Sequence, residues 1–325
     1  MIPEHSNLAI QLDSIFAPHS RKRRNELYSK QDQARFVHYT SADAALCIIK
    51  TKRIWMRNTM CMSDYREVNH GYDLLKGFFA DEANVDKFVS ALDLCSPNIG
   101  HEAIDLFNQW WGNIKSSTYI ASISEHDDKE DMHGRLSMWR AYGGNSAGVA
   151  IVLNIPWSTA ASETLNIMFS PVAYLKKEEV YAELNAVINN VLAHREFLSS
   201  VDRPILLGTI FHMLVAGVTC LKHEGFGEEL EWRVLYAPML WSSPFMERST
   251  EIIGGVPQVI YKLPLDATVS NTLADLDIAR IFDRLIIGPS PYPLAQYEAF
   301  VDALDKAGVP NAGTRVFVSD IPIRT

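Results

Sequence analysis

Glu229-Leu230-Glu231-Trp232-Arg233 is the stretch on which the reading of this chain turns. Continued through Val234 and Leu235, it is rich in strand formers, with apolar residues at alternating positions. A strand here puts Glu229, Glu231 and Arg233 on one face and Leu230, Trp232 and Val234 on the other. Three charges in line on a strand face either pair in water at a sheet edge or serve a site.

Working outward, similar strand signals fall at 35–40, 54–56, 119–124, 148–153, 167–175, 259–263, 284–288 and 316–318. Helical spacing predicts helices over 44–50, most of 65–115, 176–200, 203–223 and 294–307, with Ser41 or Asp43 capping the first. Strands and helices do not alternate regularly. The expectation is therefore an α+β chain with mixed or antiparallel sheets, not a doubly wound parallel one. Residues 1–33 are polar and irregular, with room for one short helix, and read as an N-terminal extension. Residues 34–325 read as one domain with a helical insertion near 68–115.

Composition narrows the function classes. The 325 residues carry a net charge of −9, which disfavours a general nucleic-acid coating role. The basic run Arg21-Lys22-Arg23-Arg24 reads as a solvated segment. Cys47, Cys61, Cys95 and Cys220 show no metal-binding spacing, and a reducing cytoplasmic location is the simplest account. The polar N-terminus is unlike a signal peptide. The apolar run 205–221 is interrupted by Gly208, His212 and Gly217 and reads as a buried helix, so no membrane partner is expected.

Several short motifs carry candidate chemistry. His38-Tyr39-Thr40-Ser41 closes a strand, where a histidine can donate to or accept from a sugar hydroxyl; a structural histidine bonded to backbone is the plainer reading. Ser122 and Ser124 share a strand face and can orient a carboxylate or a ligand. Trp139 and Tyr142 are three apart on a helix and form either core or a stacking wall for a flat ring. Arg140 and Arg53 are candidates for a pyrophosphate. The Gly143-Gly144 turn lacks the spacing of a phosphate cradle. Asp64 and Glu67 read as acids in a first helical turn. His126, Asp127, Asp128, Asp131 and His133 are ligand types without a metal-site spacing, so no metal is expected.

Taken in order, these motifs resemble a family of bacterial and phage-associated proteins classed as a domain of unknown function. The carriers are His38-Tyr39-Thr40-Ser41, Trp139-x-x-Tyr142-Gly143, Gly148-Val149-Ala150, Glu229-x-Glu231-Trp232-Arg233 and Ile286-Ile287-Gly288-Pro289. A more distant resemblance is to ADP-ribosyltransferases, which carry a histidine or arginine on a first strand, a hydroxyl on a middle strand and a glutamate, often in Glu-x-Glu, on a later one. That resemblance implies NAD as substrate. It gives catalytic roles to Glu231, Glu229 and His38, with Glu229 choosing the acceptor. It implies contacts to NAD from Tyr39, Thr40, Ser122, Ser124, Trp139, Arg140 and Tyr142. The expected function is an ADP-ribosyltransferase or NAD glycohydrolase, acting on a protein, nucleic-acid or water acceptor as a toxin or anti-phage defence effector, with an antitoxin or defence-system partner. The alternatives are a nuclease or other hydrolase using the same glutamates and histidine, and a non-catalytic binding component of a defence system.

Overall fold

The computed structural model describes residues 4–29, 33–61, 66–142, 148–157 and 160–321. The Asp64 and Glu67 side chains, the Gly143-Gly144 turn and the tail from Pro322 lie outside the described residues. Among the described residues there are twelve strands: β1 (Gln33–Ser41), β2 (Arg53–Asn58), β3 (Tyr119–Glu125), β4 (Gly148–Pro156), β5 (Met168–Pro171), β6 (Ala173–Tyr174), β7 (Leu221–Lys222), β8 (Glu231–Tyr236), β9 (Glu247–Ile253), β10 (Val256–Pro264), β11 (Phe282–Ile287) and β12 (Val316–Val318). With the helices between them they make an α+β protein on a mixed sheet.

The chain divides into two compact units. The first comprises Met1–Leu27, Asn58–Thr118 and Ser170–Gly227; the second comprises Tyr28–Arg57, Tyr119–Phe169 and Glu228–Thr325. The first unit is mostly helical and takes in the helical stretch expected near 68–115. Its long apolar segment forms the helix Arg203–Thr219, with Leu206, Ile210, Leu214 and Val218 buried. Among the described residues no helix is long and apolar enough to cross a membrane. The N-terminal residues hold more helix than the one short helix expected: Glu4–Phe16 and Pro18–Tyr28 are both helices. Leu12, Ile15 and Phe16, at helical spacing, are buried, whereas no residue of the second helix is, so Arg21–Arg24 lie on a polar helix. The segment 176–200 is likewise broken, with His194 ending one helix and opening the next.

The second unit holds the large sheet, in the order β12-β11-β4-β1-β3-β2-β10-β9, with β8 paired to β3. β1 pairs antiparallel with β3 and β4, β4 with β11, β2 with β10, β9 with β10 and β3 with β8, while β11 and β12 run parallel. The hairpin β9–β10 turns on Gly254 and Gly255, at φ 58° and 80°, the left-handed pair that a two-residue hairpin turn demands. β9 is absent from the sequence reading, although this glycine pair announces it.

One face of the sheet carries the main core. Ile54, Met56, Ala121, Ile151, Leu153, Tyr236 and Leu263 pack there with Phe282, Leu285 and the helix Pro293–Lys306. Over β1, β4 and β11 the opposite face is covered by the short helix Leu136–Tyr142, which sets Met138 and Trp139 against Val37, Tyr39, Ala150, Val152 and Ile286. Two glycines let the Trp139 ring in. A Cβ at Gly134, where φ is +70°, would come within 2.6 Å of the ring, and one at Gly288 within 3.0 Å. Gly134→Ala combines left-handed strain with overpacking and is expected to cost about 2–4 kcal/mol, read from the urea midpoint.

Candidate functional site

The strand β8 begins at Glu231, so Glu229 and Leu230, which the alternation included, stand outside it. Leu230 has φ +46°, and Glu229 ends a 3-10 turn, Glu224–Glu229. The left-handed residue breaks the two-residue period, so Glu229 leaves the strand face on which the sequence placed it. From Glu231 onward the reading holds: Glu231 and Arg233 point to one side, Trp232 and Val234 to the other.

The register fixes what surrounds Glu231. Ser124 lies opposite Glu231 and Ser122 opposite Arg233. Ser124 also lies opposite Val37, so Ser122, Ser124, Glu231 and Arg233 share the face away from the main core. Ser122 Oγ donates to Glu231 Oε1 at 2.5 Å; Arg233 Nε donates to the same oxygen at 2.8 Å and Arg233 Nη2 to Oε2 at 3.2 Å. Glu231 is 5% exposed and Arg233 2%. A buried carboxylate held by a two-pronged guanidinium and a hydroxyl is fixed in position and in rotamer.

β2 extends the same face. Ile54 and Met56 enter the main core, which turns Arg53, Trp55 and Arg57 the other way. Lys262 lies opposite Trp55 on β10, with its Nζ 5.9 Å from the indole centroid and 2.8 Å from Glu251. Trp55 Nε1 and Arg53 Nη1 are buried and have no hydrogen-bond partner among the described residues. Orphaned donors of this kind ask for acceptor oxygens.

His38 does not join this face. Phe36 packs edge-on against Trp232, and His38, two residues on, keeps that side. β1 and β3 pair only at Phe36–Glu125 and Val37–Ser124. Beyond them the His38 ring replaces the main chain: its Nδ1 donates to the Ser122 carbonyl at 2.9 Å. The histidine thus braces the backbone of the serine that holds Glu231, instead of lying beside Glu231 as the resemblance implies. Thr40 also lies on the His38 side, opposite Val149.

The other candidates divide. Tyr39 is buried and its hydroxyl accepts from the Arg135 amide at 2.7 Å; burial pushes its pKa up to about 12. Trp139 is core, edge-on to Tyr39 at 4.9 Å, with Nε1 donating to the His133 carbonyl at 2.7 Å. It therefore parts from Tyr142, which is 43% exposed and donates to Glu229 Oε1 at 3.3 Å. Arg140 is exposed on the same helix. The structure thus gathers Ser122, Ser124 and Glu231 in one group and Tyr142 with Glu229 in another.

The acids around the loop after β3 are held in a network of ion pairs. Arg35 reaches Asp128, Asp131 at 2.7 Å and Asp283 at 2.5 Å; Arg284 reaches Asp131 at 3.0 Å; Arg135 reaches Glu130 at 2.7 Å and the Glu228 carbonyl at 2.8 Å. Among the described residues no group of three or more metal-ligand side chains is assembled. The arginines that neutralise the loop are the residues that sequence reasoning did not place. Arg233, which the alternation already set on the face of Glu231, is its ion-pair partner.

Two histidines here make stability depend on pH. Burial pushes the His38 pKa below its ordinary 6.5. His126 moves the same way, through burial and the nearby Arg35 charge, although its Nε2 meets Asp131 at 2.8 Å. Each folded pKa lies below the unfolded one, so the unfolded chain binds the proton first. Their contribution is complete above about pH 6.5 and declines as pH falls below it. The urea midpoint is expected to fall between pH 7.5 and 5.5, and His126→Gln should flatten that slope.

A family described as Protein of unknown function (DUF2971) matches residues 138–234. The matched segment includes Trp139, Tyr142, Glu229, Glu231 and Arg233, and excludes His38, Ser122 and Ser124. No curated protein and no solved structure matches the chain.

Proposed function

We propose that the protein is an NAD-consuming ADP-ribosyltransferase or NAD glycohydrolase, with Glu231 as its working carboxylate. The observation that carries this reading is the Ser122–Glu231 bond, with Arg233 bonded to both oxygens of the same carboxylate. Cleaving the bond between nicotinamide and ribose leaves its electron pair on the nicotinamide nitrogen and positive charge at the ribose carbon. A fixed carboxylate stabilises that charge as it develops and needs no reorganisation to do so. Water or another acceptor then bonds to that carbon and gives up its proton. The unpartnered Trp55 and Arg53 donors suit the oxygens of a dinucleotide. Tyr142 and Glu229, half-buried to exposed, are suited to the acceptor side. His38 serves as a positioning residue, through the Ser122 carbonyl.

The test is nicotinamide release from NAD by the purified protein, with and without cell extract. Ser122→Ala removes one of the bonds on Glu231 and is expected to slow release about tenfold, with KM for NAD little changed. No release under any condition would sink the reading.

A further inference from the structure

Arg135 joins the two halves of the Tyr142–Glu229 pair. Its carbonyl accepts from the amides of Met138 and Trp139, each at 3.1 Å, so its backbone opens the helix Leu136–Tyr142, whose last residue is Tyr142. Its side chain reaches the turn that ends at Glu229. Nη1 donates to the Glu228 carbonyl at 2.8 Å and to the Glu229 carbonyl at 3.4 Å. Nη2 donates to the Glu125 carbonyl, at the end of β3, at 3.0 Å. Glu130 orients the guanidinium, accepting from Nε at 2.7 Å and from Nη2 at 3.1 Å. We propose that Arg135 is a positioning residue that sets Glu229 against Tyr142 and thereby governs which acceptor the protein uses. This role rests on the NAD-consuming activity proposed above.

The turn needs such a hold. The carbonyls at the end of a helical turn have no partner inside it, and left-handed Leu230 keeps the chain out of the ladder until Glu231. Arginine meets the need because its planar fork presents five N–H donors at fixed angles. One side chain thus spans two successive carbonyls, the end of β3 and a carboxylate, which the point charge of a lysine does not. The Arg135 side chain is 14% exposed, so water competes little for these bonds. Glu231 is held by other means. Its bonds to Ser122 and Arg233 and the β3–β8 ladder do not involve Arg135. Loss of the fork therefore moves Glu229 against Tyr142 before it disturbs Glu231.

In the step concerned, the nicotinamide–ribose bond breaks with its electron pair on the nicotinamide nitrogen. The acceptor oxygen then bonds to the ribose carbon, and its proton passes to water. Which acceptor arrives is decided at this second event, the one assigned to Glu229 and Tyr142.

The full chain is incubated with NAD in water containing methanol, and mass spectrometry gives the ratio of methyl ADP-ribose to ADP-ribose. Both products follow the same cleavage, so the ratio depends neither on the rate at Glu231 nor on the folded fraction, and a merely structural role would not move it. Arg135→Met is expected to change the ratio by about threefold or more, near the lower end of coupling between contacting residues. Glu229→Gln should change it in the same direction, and adding Arg135→Met to Glu229→Gln should change it no further. Arg135→Lys keeps a charge for Glu130 and loses the fork, so it should change the ratio as well. An unchanged ratio in folded Arg135→Met, or additive changes in the double variant, would overturn the proposal. If Arg135→Met does not fold, Arg135→Lys decides by the same criterion. A wild type that releases no nicotinamide sinks the activity and this role with it; release with a ratio indifferent to Arg135 sinks the positioning role alone.

Discussion

Replacing Trp232 with alanine is expected to destabilise the protein by about 3–5 kcal/mol, the usual cost of deleting a large buried aromatic. That is about a fifth or more of what holds a typical domain together. Trp232 is fully buried and meets Phe36 at 5.2 Å and Phe169 at 4.9 Å between ring centroids. It also donates from Nε1 to Glu125 Oε1 at 2.9 Å, a charge-assisted bond inside the core. Two losses are therefore combined, and Trp232→Phe separates them. Phenylalanine keeps most of the ring packing and gives up the bond, so it should cost about 1–3 kcal/mol. Urea denaturation followed by circular dichroism measures both. Equal costs for the two variants would mean that the bond to Glu125, and not the packing, dominates.

The second large effect belongs to Glu231→Gln. Glutamine keeps the shape and one carbonyl oxygen for Ser122 and Arg233, and removes the charge. Nicotinamide release is expected to fall by about a hundredfold or more, the scale of removing one preorganised electrostatic group. Stability should fall too, by about 3 kcal/mol, because a buried guanidinium loses its carboxylate. The two effects are separable. The pair variant Glu231→Leu with Arg233→Met removes both charges and should recover much of the stability, while release stays lost. If the single variant keeps full activity, Glu231 is a structural partner of Arg233 and nothing more.

Much of this arrangement was readable in the chain itself. Alternation identified β8 from Glu231 onward, put Trp232 inside, and set Ser122 and Ser124 on one face. Those are local properties of a strand. The choice of Ser41 over Asp43 as the cap was open in sequence; the structure settles it with Ser41 Oγ accepting from Ala44 N at 3.3 Å. What could not be read is non-local or backbone-made. Nothing in a leucine announces the left-handed turn at Leu230 that takes Glu229 off the strand. The side on which His38 emerges relative to Ser122 depends on the pairing of β1 with β3, residues more than eighty apart in sequence. Trp139 and Tyr142 share a helical spacing, but Trp139 lies buried against β1 while Tyr142 is exposed. The acids of the loop after β3 look like ligands until Arg35 and Arg284, from distant strands, are seen to occupy them.

The ends of the large sheet decide whether such a sheet stays with one chain. A row of open backbone groups at a sheet edge is a template for another chain to add itself to. At one end stands β12, three residues long, too short to offer much of a ladder. At the other stands β9, where Ile252 is 73% exposed and would favour such addition. The same strand bears Glu247, Arg248 and Glu251, with Glu247 and Glu251 drawn to Lys262 of the neighbouring β10. An incoming strand would have to strip water from these charges. The ion pairs at this border thus work as a guard against aggregation, and that role, more than the small stability of exposed pairs, gives them their value.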